Sequence, residues 1–492
     1  MYIGSQNLLK GYDQCLLDHG YTIQELIDKA SDCLFAHFVN YDSIGLFIGP
    51  GNNGADGLSL AVKLTDAGKN VTVYYIGDPD KFSEGNKSYF DLCEDREIMM
   101  IHLDDEEINT LKEDINNYEV IGDAFFGFGL NSSPRGLYKE CINVINKYFD
   151  KDVIAIDIPT GLNCNTGKPY ECVVYATKTV SLTAYKEGFL NPDSRVFTGE
   201  VVVETLDALD VSREAGLYEM IEYGFVKDHI KSRKFDGYKN LYGVDLMITG
   251  SKEYKGASLL SAKACVYAGA GIVKVMSVPE VTNILPLYVP EAIGIQRPEL
   301  LKRKDLENYN AILLGSGLGL GLHSEHIMTD VLRYSHAPLV IDADGLTLLS
   351  GNMELLNDQN RPIILTPHIG EFNRLCPHNK DEDLMEVAAR FAADYHVILI
   401  LKGPYSIVTD GLRRYRIHSG NPAMSVAGMG DVLAGIVTAF IGQGYPPVLA
   451  AVLAVYLHGY TGDLIGAHAY SVIPDRLIEL LPEAMFHLNK KS

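Results

Sequence analysis

The sequence predicts two α/β domains in tandem, each built on a parallel sheet. Three observations carry that expectation. Short β-branched or aliphatic runs alternate with longer amphipathic stretches, which implies parallel strands joined by crossover helices. That rhythm breaks once, over residues 207–236, where DALDVSREAGLYEMIEYGFVKDHIKSRKFD is charged and carries no strong strand signal. The length, 492 residues, suits two or three domains at roughly 100–200 residues each. The domains are expected at 1–215 and 225–492.

The elements follow in order. Residues 1–40 read as helical, because Leu8, Leu9, Leu16, Leu17, Ile23, Leu26 and Ile27 fall at helix-like spacings among polar residues. Strands are expected at IGLFIG (44–49), VTVYYIG (71–77), EVIGDAF (119–125), VIAIDIP (153–159) and TVSLTAY (179–185). Beyond the break come VDLMITG (244–250), GIVKVMSV (271–278), AILLGSG (311–317), PLVIDAD (338–344), PIILTPH (362–368), VILILKG (397–403) and YSIVTDG (405–411). Two apolar helical segments close the series, near 428–441 and 447–465.

Composition narrows the function. Hydrophobic residues make up 47% and charged residues 22%, enough for a real core in each domain. The net charge is 42 − 64 = −22, which repels a phosphate backbone, so no nucleic-acid partner is expected. Single nucleotides are not excluded, since backbone N–H groups hold a phosphate locally. The eight cysteines form no C-x-x-C pair, which argues against a zinc ribbon and for reduced thiols in a cytoplasmic protein. The segment MYIGSQNLLKGYD has no apolar run of the kind a signal peptide needs. The most apolar stretch, 448–457, is ten residues long, short of a bilayer span. A soluble protein without a membrane partner is expected.

Two glycine turns carry the chemistry. The first, GPGNNGADG (49–57), leads from a strand into a helix. Such a turn lets backbone approach a ligand and aims free N–H groups at an anion. Asn52, Asn53 and Asp56 add polar reach. The alternative is a tight turn with no ligand. Asp123, in GDAFFGFGLNSSPRG (122–136), and Asp157 and Thr160, in IAIDIPTGL (154–162), end two further strands. Ligands bind at the carboxyl ends of parallel strands, so the three loops can converge. Asn53, Asp123 and Thr160 offer only oxygen, which suits a hard cation.

The second turn, NPAMSVAGMGDVLAG (421–435), is the more specific. N–H groups at Gly428, Met429 and Gly430 would open a helix and form an anion hole for a phosphoryl group in transit. Asp431 follows at once. A carboxylate there repels phosphate unless it accepts a hydroxyl proton from the attacking group, the plain alternative being a helix cap. Lys402-Gly403 ends another strand and is placed to hold a nucleotide phosphate, or is simply an exposed strand-end lysine. Pro367, His368, Ile369, Gly370, Glu371 and Phe372 end a third, and Asp342 and Asp344 a fourth. No G-x-x-x-x-G-K-[ST] occurs, which argues against a P-loop enzyme.

These motifs, in this order over nearly the whole chain, resemble the bifunctional NAD(P)H-hydrate repair enzymes. The match rests on GPGNNGADG, GDAFFGFG (122–129) and DIPTGL (157–162) in the first half. In the second it rests on GSKEYKGASLLSAKACVYAGAGIVKV (250–275), GSGLG (315–319), DADGL (342–346), TPHIGEF (366–372), KG (402–403) and NPAMSVAGMGDVLAG. The resemblance implies a Rossmann-like epimerase domain followed by a ribokinase-like, ADP-dependent dehydratase domain. It implies that Asn52, Asn53, Gly54, Ala55 and Asp56, the loop of Gly127, Phe128, Gly129, Leu130, Asn131, Ser132 and Ser133, and Asp157 contact the hydrated cofactor. Asn53, Asp123 and Thr160 would bind potassium. Gly317, the segment from Pro367 through Phe372 with Asn373, and Asp431 would contact the hydrate in the second domain. ADP would lie on Lys402, Gly403, Pro404, Tyr405 and Ser406, and on Asn421, Pro422, Ala423, Met424, Ser425, Val426, Ala427, Gly428, Met429 and Gly430.

Under that resemblance, Asp431 takes the proton as the hydrate's C6 hydroxyl attacks the β-phosphate of ADP, with magnesium assisting. The partners would be NADHX, NADPHX and ADP, and the protein a homo-oligomer. The sequence departs from the family at Ala55, where a second glycine is usual, so that a methyl group would crowd the substrate phosphate. It departs again at Ser425 and Val426, which remove a hydroxyl near the nucleotide, and at Tyr238-Lys239-Asn240. The competing reading is a ribokinase-like small-molecule kinase with a non-catalytic amino-terminal binding module.

Overall fold

Ser5 and Thr22 start the first two helices. The Ser5 hydroxyl accepts from the Leu8 N–H, and Thr22 with Glu25 forms a reciprocal capping box. Helix Gln6–Asp18 buries Leu9, Tyr12 and Leu16, and helix Ile23–Phe38 buries Ile27, Leu34 and Phe38. The computed structural model describes residues 1–357, 359–379 and 382–489, so the last positions of the 225–492 segment lie outside the described residues. The chain divides into two compact units, Met1–Tyr218 and Glu219–Ser492.

In the first unit the strands are β1 (Tyr2–Gly4), β2 (Ser43–Ile48), β3 (Asn70–Tyr75), β4 (Met99–His102), β5 (Val120–Ala124), β6 (Asp152–Ile156), β7 (Lys178–Leu182), β8 (Tyr185–Lys186) and β9 (Glu200–Glu204). Seven of them form one sheet in the order β4-β3-β2-β5-β6-β7-β9. Every pair in it is parallel. The order reverses between β2 and β5, and a crevice opens at such a switch point at the carboxyl ends of the strands. β1 pairs with β8 apart from this sheet. Val, Ile and Leu fill β2, β5 and β6 because helices cover both sheet faces.

The second unit repeats the plan. Its strands are β10 (Tyr218–Ile221), β11 (Val244–Ile248), β12 (Ile272–Ser277), β13 (Ile293–Gln296), β14 (Ala311–Leu314), β15 (Leu339–Ile341), β16 (Ile363–Leu365), β17 (Ile398–Leu401), β18 (Ser406–Thr409) and β19 (Arg414–Ile417). They run β13-β12-β11-β14-β15-β16-β17-β18-β19-β10. All neighbours from β13 to β17 are parallel, and β18 joins both its neighbours antiparallel. The switch point lies between β11 and β14.

The expected α/β class holds in both units. Two local readings do not. β10 and helix Tyr223–His229 lie inside the stretch read as lacking strand signal, because β10 buries only Tyr218 and Ile221 fully and so shows little apolar pattern. The apolar run at 448–457 belongs to a helix of 20 residues, Pro447–Gly466, long and apolar enough by composition to cross a membrane. Its apolar window is 72% buried against the sheet and the helix Met429–Gly442, as befits a core helix.

Candidate active sites

In the first unit, β2 runs into helix Asn52–Asp66 through the glycine turn. A Cβ at Gly54 would lie 2.0 Å from the Gly49 carbonyl oxygen, so only glycine closes this turn. Asn86 fastens it, donating from Nδ2 to the Gly49 carbonyl at 2.8 Å and to Gly51 at 3.0 Å. The turn opens on a cavity of about 580 Å³. Asn52, Asn53, Asp56, Gly127, Phe128, Gly129, Leu130, Asn131 and Asp157 line it, with Leu9, Asp13, Leu17, Leu26, Phe125 and Phe126. Gly54, Ala55, Ser132 and Ser133 are absent from this wall. The Ala55 methyl is fully buried in the core beneath the turn and does not line the cavity.

Asp157 and Asp123 do different work. Asp157 has φ +70° and accepts from the Phe128 and Leu182 N–H groups at 3.3 Å each. The wholly buried Lys186 ammonium pairs with it and also donates to the Leu182 carbonyl at 2.9 Å. Asp123, also wholly buried, accepts from the Thr160 N–H and hydroxyl at 2.7 Å each. Burial pushes its carboxyl up to about 6, with those hydrogen bonds working against the rise. Asn53 Nδ2 is buried without a partner among the described residues.

Two acids on the wall stand out. Burial raises Asp56 well above the usual carboxylate range, and Asp157 and Asp13 add to it. Burial and Asp157 push Asp13 up to about 7, with Lys186 opposing. Asp13 and Lys186 are absent from the expected site. Asp13 had a signal: Leu9, Asp13 and Leu17, at i, i+4 and i+8, put one acid in an apolar helical stripe. Lys186 had none, since a buried lysine reads in sequence like any surface lysine.

In the second unit, Gly428 has φ +96° and caps helix Met429–Gly442. The first-turn N–H groups have no partner within the helix. Lys402, at the end of β17, brings Nζ to 3.2 Å from where a Cβ on Gly430 would stand, and to 3.1 Å from Asp342 Oδ1. Burial works against its charge, but Asp342, Glu371 and Asp431 outweigh it and hold the ammonium above its ordinary range. Asp342 spends its oxygens on Lys402, Thr366 Oγ1 (2.7 Å) and Ser316 Oγ (3.0 Å). Asp344 accepts from the Gly319 N–H at 2.8 Å, fixing the GSGLG loop. Burial first, then Asp342 and Asp344, push Asp431 up to about 7, with Lys402 and Ser316 partly offsetting. The loops after β14, β15, β16 and β17 thus meet the start of one helix.

Several residues of the expected second site also hold the local structure. His368 is an N-cap: Nδ1 accepts from the Gly370 N–H at 2.9 Å, and Glu371 returns the bond to the His368 N–H at 2.8 Å. Phe372 is fully buried and packs on Phe391. Asn421 donates to the Gly462 carbonyl and Asp463 and fixes the 422–424 turn. Gly403, Pro404 and Tyr405, and Ser425, Val426 and Ala427, are exposed, and Tyr238, Lys239 and Asn240 are exposed as well. Gly317, with φ +63°, packs its backbone against Tyr254.

Two α/β units, each with a polar site at the carboxyl ends of parallel strands, define a two-site small-molecule enzyme. Residues 23–188 match the family model of the YjeF-related protein N-terminus, and residues 246–483 match that of NAD(P)H-hydrate dehydratase. The bifunctional NAD(P)H-hydrate repair enzyme of Moorella thermoacetica is 30% identical over 91% of this chain and 88% of its own. That of Thermofilum pendens is 30% identical over 86% and 83%. A ribokinase-like superfamily protein of Enterococcus faecalis superposes with a TM-score of 0.51 at 27% identity, over 55% of this chain and 96% of that one. The chain belongs to the bifunctional NAD(P)H-hydrate repair enzyme family.

Proposed function

We propose that the first unit epimerises the R and S hydrates of NADH and NADPH, and that the second dehydrates the S form at the expense of ADP, giving AMP and phosphate. The observation that carries this reading is the grouping of Asp431, Lys402 and Asp342 at the opening of helix Met429–Gly442. The hydrate's hydroxyl is a poor leaving group. Asp431 accepts its proton as the oxygen attacks the β-phosphorus and AMP departs. The N–H groups at 428–430 and the Lys402 ammonium meet the charge that develops on the phosphoryl oxygens. The ring nitrogen then expels the phosphate ester, and loss of the neighbouring C5 proton restores the dihydronicotinamide.

Magnesium entering with ADP would supply charge neutralisation for the phosphates beside Asp342, whose oxygens hold Lys402, Thr366 and Ser316. In the first unit, Asn53, Asp123 and Thr160 fit a potassium ion. They supply oxygen donors around a wholly buried carboxylate. The ion would supply charge compensation for Asp123.

The test mixes the full chain with racemic NADHX and ADP or ATP and follows the reduced-nicotinamide absorbance band. Full recovery of both epimers with ADP supports the reading. A stable phosphorylated product with no NADH regenerated would favour the kinase instead.

A further inference from the structure

The hydrate is a hemiaminal: its C6 carries both the hydroxyl oxygen and the ring nitrogen N1. One balanced route inverts C6 by opening the C6–N1 bond and reclosing it on the other face. The hydroxyl proton must leave as the C=O forms, and N1 must gain a proton as it takes the C6–N1 electron pair. Oxygen and nitrogen are geminal, so one carboxyl group, with a donor oxygen and an acceptor oxygen side by side, spans both.

The cavity of the first unit presents three carboxyl groups on its wall, Asp13, Asp56 and Asp157. Asp157 is committed to Lys186 and two backbone N–H groups. Asp123, the other buried acid, is bound to Thr160 and lies off the wall. The Asp13 carboxyl makes no hydrogen bond among the described residues, and its helix sets it between Leu9 and Leu17, which line the cavity with it. From this arrangement, and resting on the epimerase reading above, we infer that Asp13 is the proton-transfer residue of epimerisation. Its protonated oxygen donates to N1 as the other oxygen accepts the hydroxyl proton. The carboxyl ends the step protonated, and after rotation about C5–C6 the reverse transfer closes the ring.

The surroundings suit a group that must give and take a proton. Burial and the Asp157 charge raise Asp13 to about 7, while Lys186 opposes. Asp56, from the turn helix, is raised as well, by burial first and then by Asp157 and Asp13. Lys10, on Asp13's own helix, also lines the cavity. Because the protonated form acts, epimerisation falls as pH rises through about 7.

The experiment uses the full chain, with chiral separation of the two hydrates over time. Wild-type protein must interconvert them; if it does not, the epimerase reading fails before this inference is reached. Asp13→Asn is expected to lose about 10²–10⁴-fold in epimerisation rate. Its dehydratase rate on the pure S hydrate, read from the second unit, stays at wild type and reports folding. Asp13→Glu restores part of the rate with a displaced pH profile. Wild-type epimerisation in Asp13→Asn, or an unchanged pH profile in Asp13→Glu, overturns the inference.

Discussion

The two glycine turns, 49–57 and 425–431, share a plan and differ in where the lysine sits. Each opens a helix and lies beside carboxylates. In the first unit the ammonium of Lys186 is sealed under the site, locked to Asp157 and to a backbone carbonyl. On the cavity wall the Asp13 and Asp56 carboxyls have no hydrogen bond among the described residues, beside apolar side chains. In the second unit the ammonium of Lys402 stands against Gly430, at the helix opening where the proposed reaction would hold a phosphate. A sealed cation leaves a site for moving protons on a neutral hydroxyl. A presented cation makes a site for transferring a charged group.

The sharpest way to break that contrast is Asp431→Asn. Loss of the acceptor should lower dehydratase turnover by about 10²–10⁴-fold with ADP affinity nearly unchanged, read by steady-state kinetics and calorimetric titration. Near-normal turnover would remove the acceptor role. Lys402→Met is expected to weaken ADP binding by about 10–100-fold, the value of one or two charge-assisted hydrogen bonds, in the same titration. Unaltered ADP affinity would mean that Lys402 serves only to neutralise Asp342.

The pH dependence sharpens the comparison further. Asp431 must be ionised to accept a proton, so dehydratase kcat should fall about tenfold per pH unit below about 7. Epimerisation should run the opposite way. Stability follows from the same shift. The folded state holds the Asp431 proton more tightly than the unfolded chain, so the stability it confers is complete below its ordinary value of 3.8 and is lost as pH rises through about 7. Asp431→Asn should therefore raise Tm at pH 8 by about 2–4 °C, the equivalent of about 1 kcal/mol, and raise it less at pH 5. The smallest effect belongs to Ala55→Gly. Placing glycine in the helix interior should cost about 1 kcal/mol in urea unfolding and leave epimerisation unchanged, since the methyl lies in the core.

Central strands were legible and edge strands were not. β2, β5, β11 and β14 are buried along nearly all their length, so they read as continuous apolar runs. β4 and β13 bury no residue fully and show no such run. The glycine turns were legible because their chemistry is written in consecutive residues. What sequence did not reveal depends on pairing across distance: Lys186 with Asp157, Lys402 with Asp342, and Asp13 brought to a cavity by a helix far from the glycine turn. His368 shows the reverse case, a motif residue whose side chain serves its own helix.

The most direct measurement follows the oxygen. With ¹⁸O placed in the C6 hydroxyl of the S hydrate, a single turnover with ADP should deliver the label to inorganic phosphate. Label recovered in water, with unlabelled phosphate, would contradict capture of the phosphoryl group by the hydrate.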